Sequence, residues 1–164
     1  MGHLTYPWQE RKLSYDLMVF EPTAAPKDRA QFMQWYAKQT EWTEEHSYQD
    51  HAVASEALQA WFKEMAGFFP PMNGPLAFKY DEDADDSKVT DYSIGRHVIY
   101  SGFSWRIAKE AYPKMRELAI KHHVGFFDVS AKNGEILFPT QRVAAPENRS
   151  IELIKRTKPW WKFW

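Results

Sequence analysis

Apolar and polar positions along this chain recur with periods that divide it into strands and helices. Residues 15–21 contain four consecutive apolar side chains, Leu17, Met18, Val19 and Phe20. An unbroken apolar run predicts a strand covered on both faces, hence one central in its sheet. Pro22 and Pro26 end it. Over residues 27–42 apolar side chains recur at Ala30, Phe32, Met33, Trp35, Tyr36 and Trp42, a helical stripe. Asp28 near its start suits the helix dipole. A polar stretch, 43–50, precedes a second helix with Ala54, Ala57, Leu58, Trp61, Phe62 and Met65 on one face. Gly67 and the proline-rich segment 68–75 stop that helix.

The acidic run 81–86 predicts an exposed loop. Two strands follow, near 91–95 and 97–103, and the short connection at Gly95-Arg96 favours an antiparallel pair over a single bulged strand. Ser104 reads as the N-cap of a third helix ending at His122 or His123. That helix is expected to bury Ala108, Ala111, Tyr112, Met115, Leu118, Ala119 and His122, with Pro113 kinking it or delaying its start. Residues 124–129 read as a strand, and Asn133-Gly134 turns the chain into a short one at 135–138. This order predicts an α+β domain over residues 1–140, a ferredoxin-like (split β-α-β) sandwich with an extra helix and a C-terminal hairpin. Residues 141–164 read as a linker and an aromatic-rich basic tail.

Composition narrows the functional classes. The 164 residues suit one domain, and 44% hydrophobic with 16% aromatic content excludes a disordered chain. A net charge of −1 supplies no global field for nucleic acid. The chain has no cysteine, which excludes disulfides, thiolate metal sites and cysteine nucleophiles. Glu10, Arg11 and Lys12 interrupt any apolar leader, and no apolar run approaches the roughly 18 residues of a membrane span. A cytoplasmic protein is the expectation.

No catalytic motif is complete. The acidic run starts like a calcium loop, but Asp86 stands where the turn needs Gly and Tyr92 where a bidentate Glu belongs. The histidines lack metal spacing; adjacent His122 and His123 point apart on a helix. Around Ser104, Arg106 replaces the second Gly of a nucleophile elbow. Residues 124–129 lack the leading cation of an RNA-recognition strand, and Asp128 would repel phosphate. No catalytic residue, metal, cofactor or nucleic-acid partner is expected.

Binding candidates are clearer. Asp81, Glu82, Asp83, Asp85 and Asp86 could steer a basic partner protein, with Trp42, Tyr48 and Tyr80 as aromatic anchors beside them. Asp91, Arg96 and His97 form a polar strand region. Asp91 with Arg96 would be a structural ion pair, or all three would line the pocket of a small-molecule-binding protein or enzyme. In the tail, Lys155, Arg156, Lys158, Trp160, Trp161, Lys162 and Trp164 would dock on the domain, bind a partner or touch an anionic membrane. Four cations give roughly 4 kcal/mol toward a membrane, a marginal and reversible attachment. Oligomeric state is not legible.

Four stretches, 14–22, 69–75, 91–95 and 124–129, together resemble a family of small uncharacterised bacterial proteins, and the likeness covers residues 14–140. Proteins of this general kind include immunity proteins of interbacterial toxin systems. The resemblance implies a non-catalytic cytoplasmic protein that neutralises a cognate toxin by occluding it. It carries over no catalytic residues.

Overall fold

The structure, a computed structural model, describes residues 14–140. Five strands form one antiparallel sheet: β1 (Tyr15–Phe20), β2 (Asp91–Ile94), β3 (Val98–Phe103), β4 (Gly125–Asp128) and β5 (Ile136–Leu137). Their order across the sheet is β2-β3-β1-β4-β5. Helices α1 (Arg29–Gln39), α2 (Glu56–Phe68) and α3 (Ala108–Lys121) complete an α+β fold. β1 is the middle strand, as its apolar run requires. Leu17 and Val19 point to one face, Met18 and Phe20 to the other, and all four are fully buried.

The first two helices lie on opposite faces of the sheet. α2 and α3 pack together on the face carrying Leu17, Val19, Ile99, Phe103 and Phe126. On α2 the predicted face holds: Ser55 caps the helix at Leu58 N, and Leu58, Trp61, Phe62 and Met65 are buried. Glu64 joins α2 to the end of α3, accepting from Lys121 Nζ at 2.7 Å and meeting His122 Nε2 at 2.6 Å. These two partners hold the Glu64 carboxyl below its usual range. His122 therefore contacts the Glu64 carboxylate as well as closing the helix end.

α1 covers the other face through Phe32, which meets Phe20 and Phe127 edge-on at 5.1 and 5.2 Å. Asp28 caps it, accepting from Gln31 N at 3.0 Å. Its apolar stripe is thinner than the spacing predicts. Phe32 alone is fully buried, Ala30 and Met33 are exposed, and Trp42 falls beyond the helix, which ends at Thr40. The reason is tertiary: α1 crosses a sheet face that is apolar at one end and polar at the other.

Ser104 is not the cap of α3. Its carbonyl accepts from Ile107 N at 3.0 Å in a preceding turn, and the helix starts at Ala108 without a side-chain cap. Pro113 lies inside α3 and faces solvent. The Lys109 carbonyl that loses its helical donor there belongs to an exposed residue, where water is an alternative partner. No helix among the described residues is long and apolar enough to cross a membrane.

Burial of tyrosines sets a pH response. Tyr92 is 6% exposed and donates to the Phe69 carbonyl at 2.8 Å; burial drives its phenol far above the ordinary value of 10. Burial, then the Glu135 carboxylate, pushes Tyr112 up to about 12. Raised folded values mean that the native chain keeps protons the unfolded chain releases above about pH 10. The associated stability is complete below pH 10 and lost as pH rises through the folded values. Urea midpoints from pH 9 to 11.5 should fall, and Tyr92→Phe should flatten the slope by an amount that grows through pH 10 toward a limit of about 1.4 kcal/mol per pH unit above about pH 11. An identical slope in the variant would contradict this account of Tyr92.

Candidate functional site

Strand register assembles the site. Gly102 of β3 stands opposite Asp16 of β1 on one side and Asp91 of β2 on the other. In the next row on the same face, Tyr100 stands between Met18 and Ser93. Residues two apart on a strand share a face, so both rows look toward the α1 side. Beneath α1 that face is apolar, with Phe20, Val98 and Phe127. Toward the start of β1 it turns polar. Tyr36, Thr40 and Trp42 overhang this polar end, and a cavity of about 280 Å³ lies between.

Gly102 is the floor. Without a side chain it leaves room for Ser14 and Asp16, whose Cβ and Oδ1 would lie 3.6 and 3.7 Å from a Cβ at this position. Asp91 lines the same cavity from the other side, its Cα two strand spacings or roughly 10 Å from that of Asp16. Asp16 accepts from Ser14 Oγ at 2.5 Å and from the Tyr100 hydroxyl at 2.7 Å. Its backbone N–H donates to Ser130 Oγ at 2.7 Å, tying the site to the end of β4. Burial first, then the neighbouring Asp16 carboxylate, raises the Tyr100 phenol well above its ordinary value. Burial likewise raises Tyr36. Both hydroxyls therefore stay protonated at neutral pH, and that of Tyr100 is the donor to Asp16. Asp91 is exposed, and its carboxylate has no hydrogen bond or ion pair to any described residue.

One wall is backbone held in the left-handed region. Trp42 has φ +52° and Tyr48 φ +59°, a conformation that costs roughly 1–2 kcal/mol for a bulky L-residue. The surrounding contacts hold it there. The Tyr48 carbonyl accepts from Ile94 N at 2.8 Å, and its hydroxyl accepts from Glu44 N. The Glu44 carboxylate pairs with His46 and accepts from Arg96 N at 3.2 Å. Residues 42–48 are thereby clamped to the β2–β3 turn, and Trp42 is set perpendicular to Tyr100 with ring centroids 6.0 Å apart.

These positions redistribute the sequence candidates. Asp91 lines the cavity, but Arg96 and His97 do not join it. They sit in the turn at the far end of β2, roughly 13 Å along four extended residues. Among the described residues no ion pair links Asp91 to Arg96; Glu44 holds the Arg96 backbone N–H instead, and the His97 carbonyl accepts from Glu21 N at 2.8 Å. Trp42 and Tyr48 do not flank the acidic run. They pack on the α1 face, whereas residues 81–86 leave from the α2–α3 side, where Lys88 pairs with Glu110 of α3 at 2.7 Å. Tyr80 alone remains beside Asp81, Glu82, Asp83, Asp85 and Asp86, all exposed. Lys155, Arg156, Lys158, Trp160, Trp161, Lys162 and Trp164 lie outside the described residues.

Sequence reasoning missed Asp16, Tyr36, Tyr100 and Gly102. Two signals were present: a lone carboxylate entering an otherwise apolar strand, and a glycine within a strand, which often marks close approach of a ligand or backbone. Among the described residues no Lys, Arg or His lines the cavity. Its described lining is rich in acceptors and aromatic rings, a surface complementary to positive charge. No family model matches the chain, nor does any curated protein or solved structure.

Proposed function

We propose that this protein is a non-catalytic binding module for a basic protein, acting as an immunity protein that occludes a cognate toxin in the cytoplasm. The observation that carries this reading is the surface of segment 68–86. Phe68, Met72, Leu76 and Tyr80 are each 41–61% exposed along it, and five carboxylates follow directly. Large exposed apolar groups beside charge of one sign suit an interface in which the aromatics anchor and the charges steer. The segment is also pre-ordered. Met72 N and Thr90 N donate to the carbonyls of Thr90 and Pro70 at 2.9 Å, and Phe78 N to that of Pro71 at 2.8 Å. Ser87 bonds Asp85 and holds its carboxyl below the usual range. Pre-ordering lowers the entropy lost on association.

The strand order β2-β3-β1-β4, all antiparallel, supports a ferredoxin-like reading of the architecture, with β5 and α1 as additions.

The test uses a partner captured with the full chain, required to be toxic when expressed alone and harmless when co-expressed with this protein. Neutralising the loop (D81N, E82Q, D83N, D85N, D86N together) should slow association about tenfold at low salt while changing dissociation much less. An unchanged association rate removes the loop from the interface.

A further inference from the structure

We infer that the Asp16–Asp91 cavity is a receptor for a guanidinium group, and that it takes an arginine side chain of the partner. The origin of that arginine rests on the partner reading above; the chemistry of the cavity does not.

Three features converge on this ligand. First, among the described residues the cavity carries two carboxylates and no basic side chain, so its complement is a cation. The Asp91 carboxylate has no hydrogen-bond or ion-pair partner among the described residues. Asp16 uses two of its roughly four acceptor positions, on Ser14 and Tyr100, and retains the others.

Second, the two carboxylates lie on opposite sides of the Gly102 floor. A compact ammonium is a point charge that reaches one of them well. A guanidinium is planar, with donors diverging from both edges, so one group can engage both acids at once. The volume of about 280 Å³ is small for a drug-sized molecule and adequate for a side-chain head group.

Third, the walls are aromatic. Trp42 and Tyr100 meet at 90°, and in an edge-to-face pair the edge-on ring keeps its own faces turned away from its partner. Such faces attract a flat, weakly hydrated cation by stacking and by the ring quadrupole. The left-handed backbone at Trp42 keeps that indole in place. The Tyr100 hydroxyl donates to Asp16 at 2.7 Å, which keeps that carboxylate oriented and does not compete for the cation.

The test is titration of the full ¹⁵N-labelled protein with N-acetyl-arginine methylamide, followed at the Gly102 and Ser93 amides and the Trp42 indole N–H. Saturable shifts at those three positions are expected, with N-acetyl-lysine methylamide binding at least about tenfold more weakly. Asp91→Asn removes an exposed, unpaired carboxylate, so it should fold normally and weaken arginine binding at least about tenfold. Methylguanidinium separates the two sources of the group. Weaker binding than the arginine amide points to a side chain presented by a protein; tighter binding would overturn the partner-arginine assignment in favour of a free small guanidine. Absence of saturable shifts, equal affinity for the lysine probe, or indifference to Asp91→Asn would overturn the receptor itself. None of these outcomes depends on the acidic loop, so failure here and failure of the partner reading are separable.

Discussion

Trp61→Ala is expected to lower unfolding free energy by about 3–5 kcal/mol, the range for removing a buried indole and leaving a cavity. Trp61 is fully buried on α2, amid the cluster that joins α2, α3 and the sheet. Its Nε1 donates to the Met115 carbonyl of α3 at 3.4 Å, a long bond that adds little. Trp61→Phe should therefore cost much less than Trp61→Ala, because the ring volume matters more than the hydrogen bond. For a domain with the usual 5–15 kcal/mol of stability, the alanine variant approaches unfolding at physiological temperature. Urea denaturation of both variants measures this. A loss below about 1 kcal/mol in Trp61→Ala would mean that the α2–α3 face is not the main core.

Gly125→Ala should be nearly as damaging, by the opposite mechanism. Gly125 pairs with Phe20 across β1 and β4, and a Cβ there would lie 2.2 Å from the Phe20 ring. Phe20 has little room to retreat, since it packs edge-on against Phe32, Trp35 and Phe138. Overpacking of this kind costs about 1–3 kcal/mol or more. If the clash is the cause, Phe20→Leu should be less harmful in the Gly125→Ala background than in the native chain, a non-additivity expected of touching residues. Strict additivity of the two substitutions would exclude the ring contact as the origin.

Both predictions concern elements that were legible in the sequence. Leu17 to Phe20 leave no polar position on either side, and a strand of that kind has nowhere to go but the middle of a covered sheet. The apolar face of α2 is almost wholly the one its 3.6-residue spacing indicates, because Leu58, Trp61, Phe62 and Met65 have one large surface to meet. Asp28 acts at the start of α1 as local capping chemistry dictates.

Local signals misled where packing had the larger energy. Ser104 has the right side chain for a cap, yet the turn through Ile107 places that apolar residue in the core and starts α3 later. Trp42 continues the apolar spacing of α1, yet it leaves the helix to pack beside Tyr48 and Tyr100. Asp91, Arg96 and His97 are close in sequence and distant in space, because an extended strand moves successive residues apart faster than any other element.

By itself the sequence determined the kind and order of the elements, the centrality of β1, the core faces of α2 and α3, and the exposure of residues 81–86. These follow from periodicity and charge acting within one helix or one strand. The tertiary structure alone decided that α1 and α2 part to opposite faces, and that Asp16, Gly102 and Asp91 form one row beneath Trp42. The row joins Asp16 to positions 75 and 86 residues further along the chain through strand register. Register is set by the burial of whole strand faces, a sum over many distant contacts that no local stretch encodes.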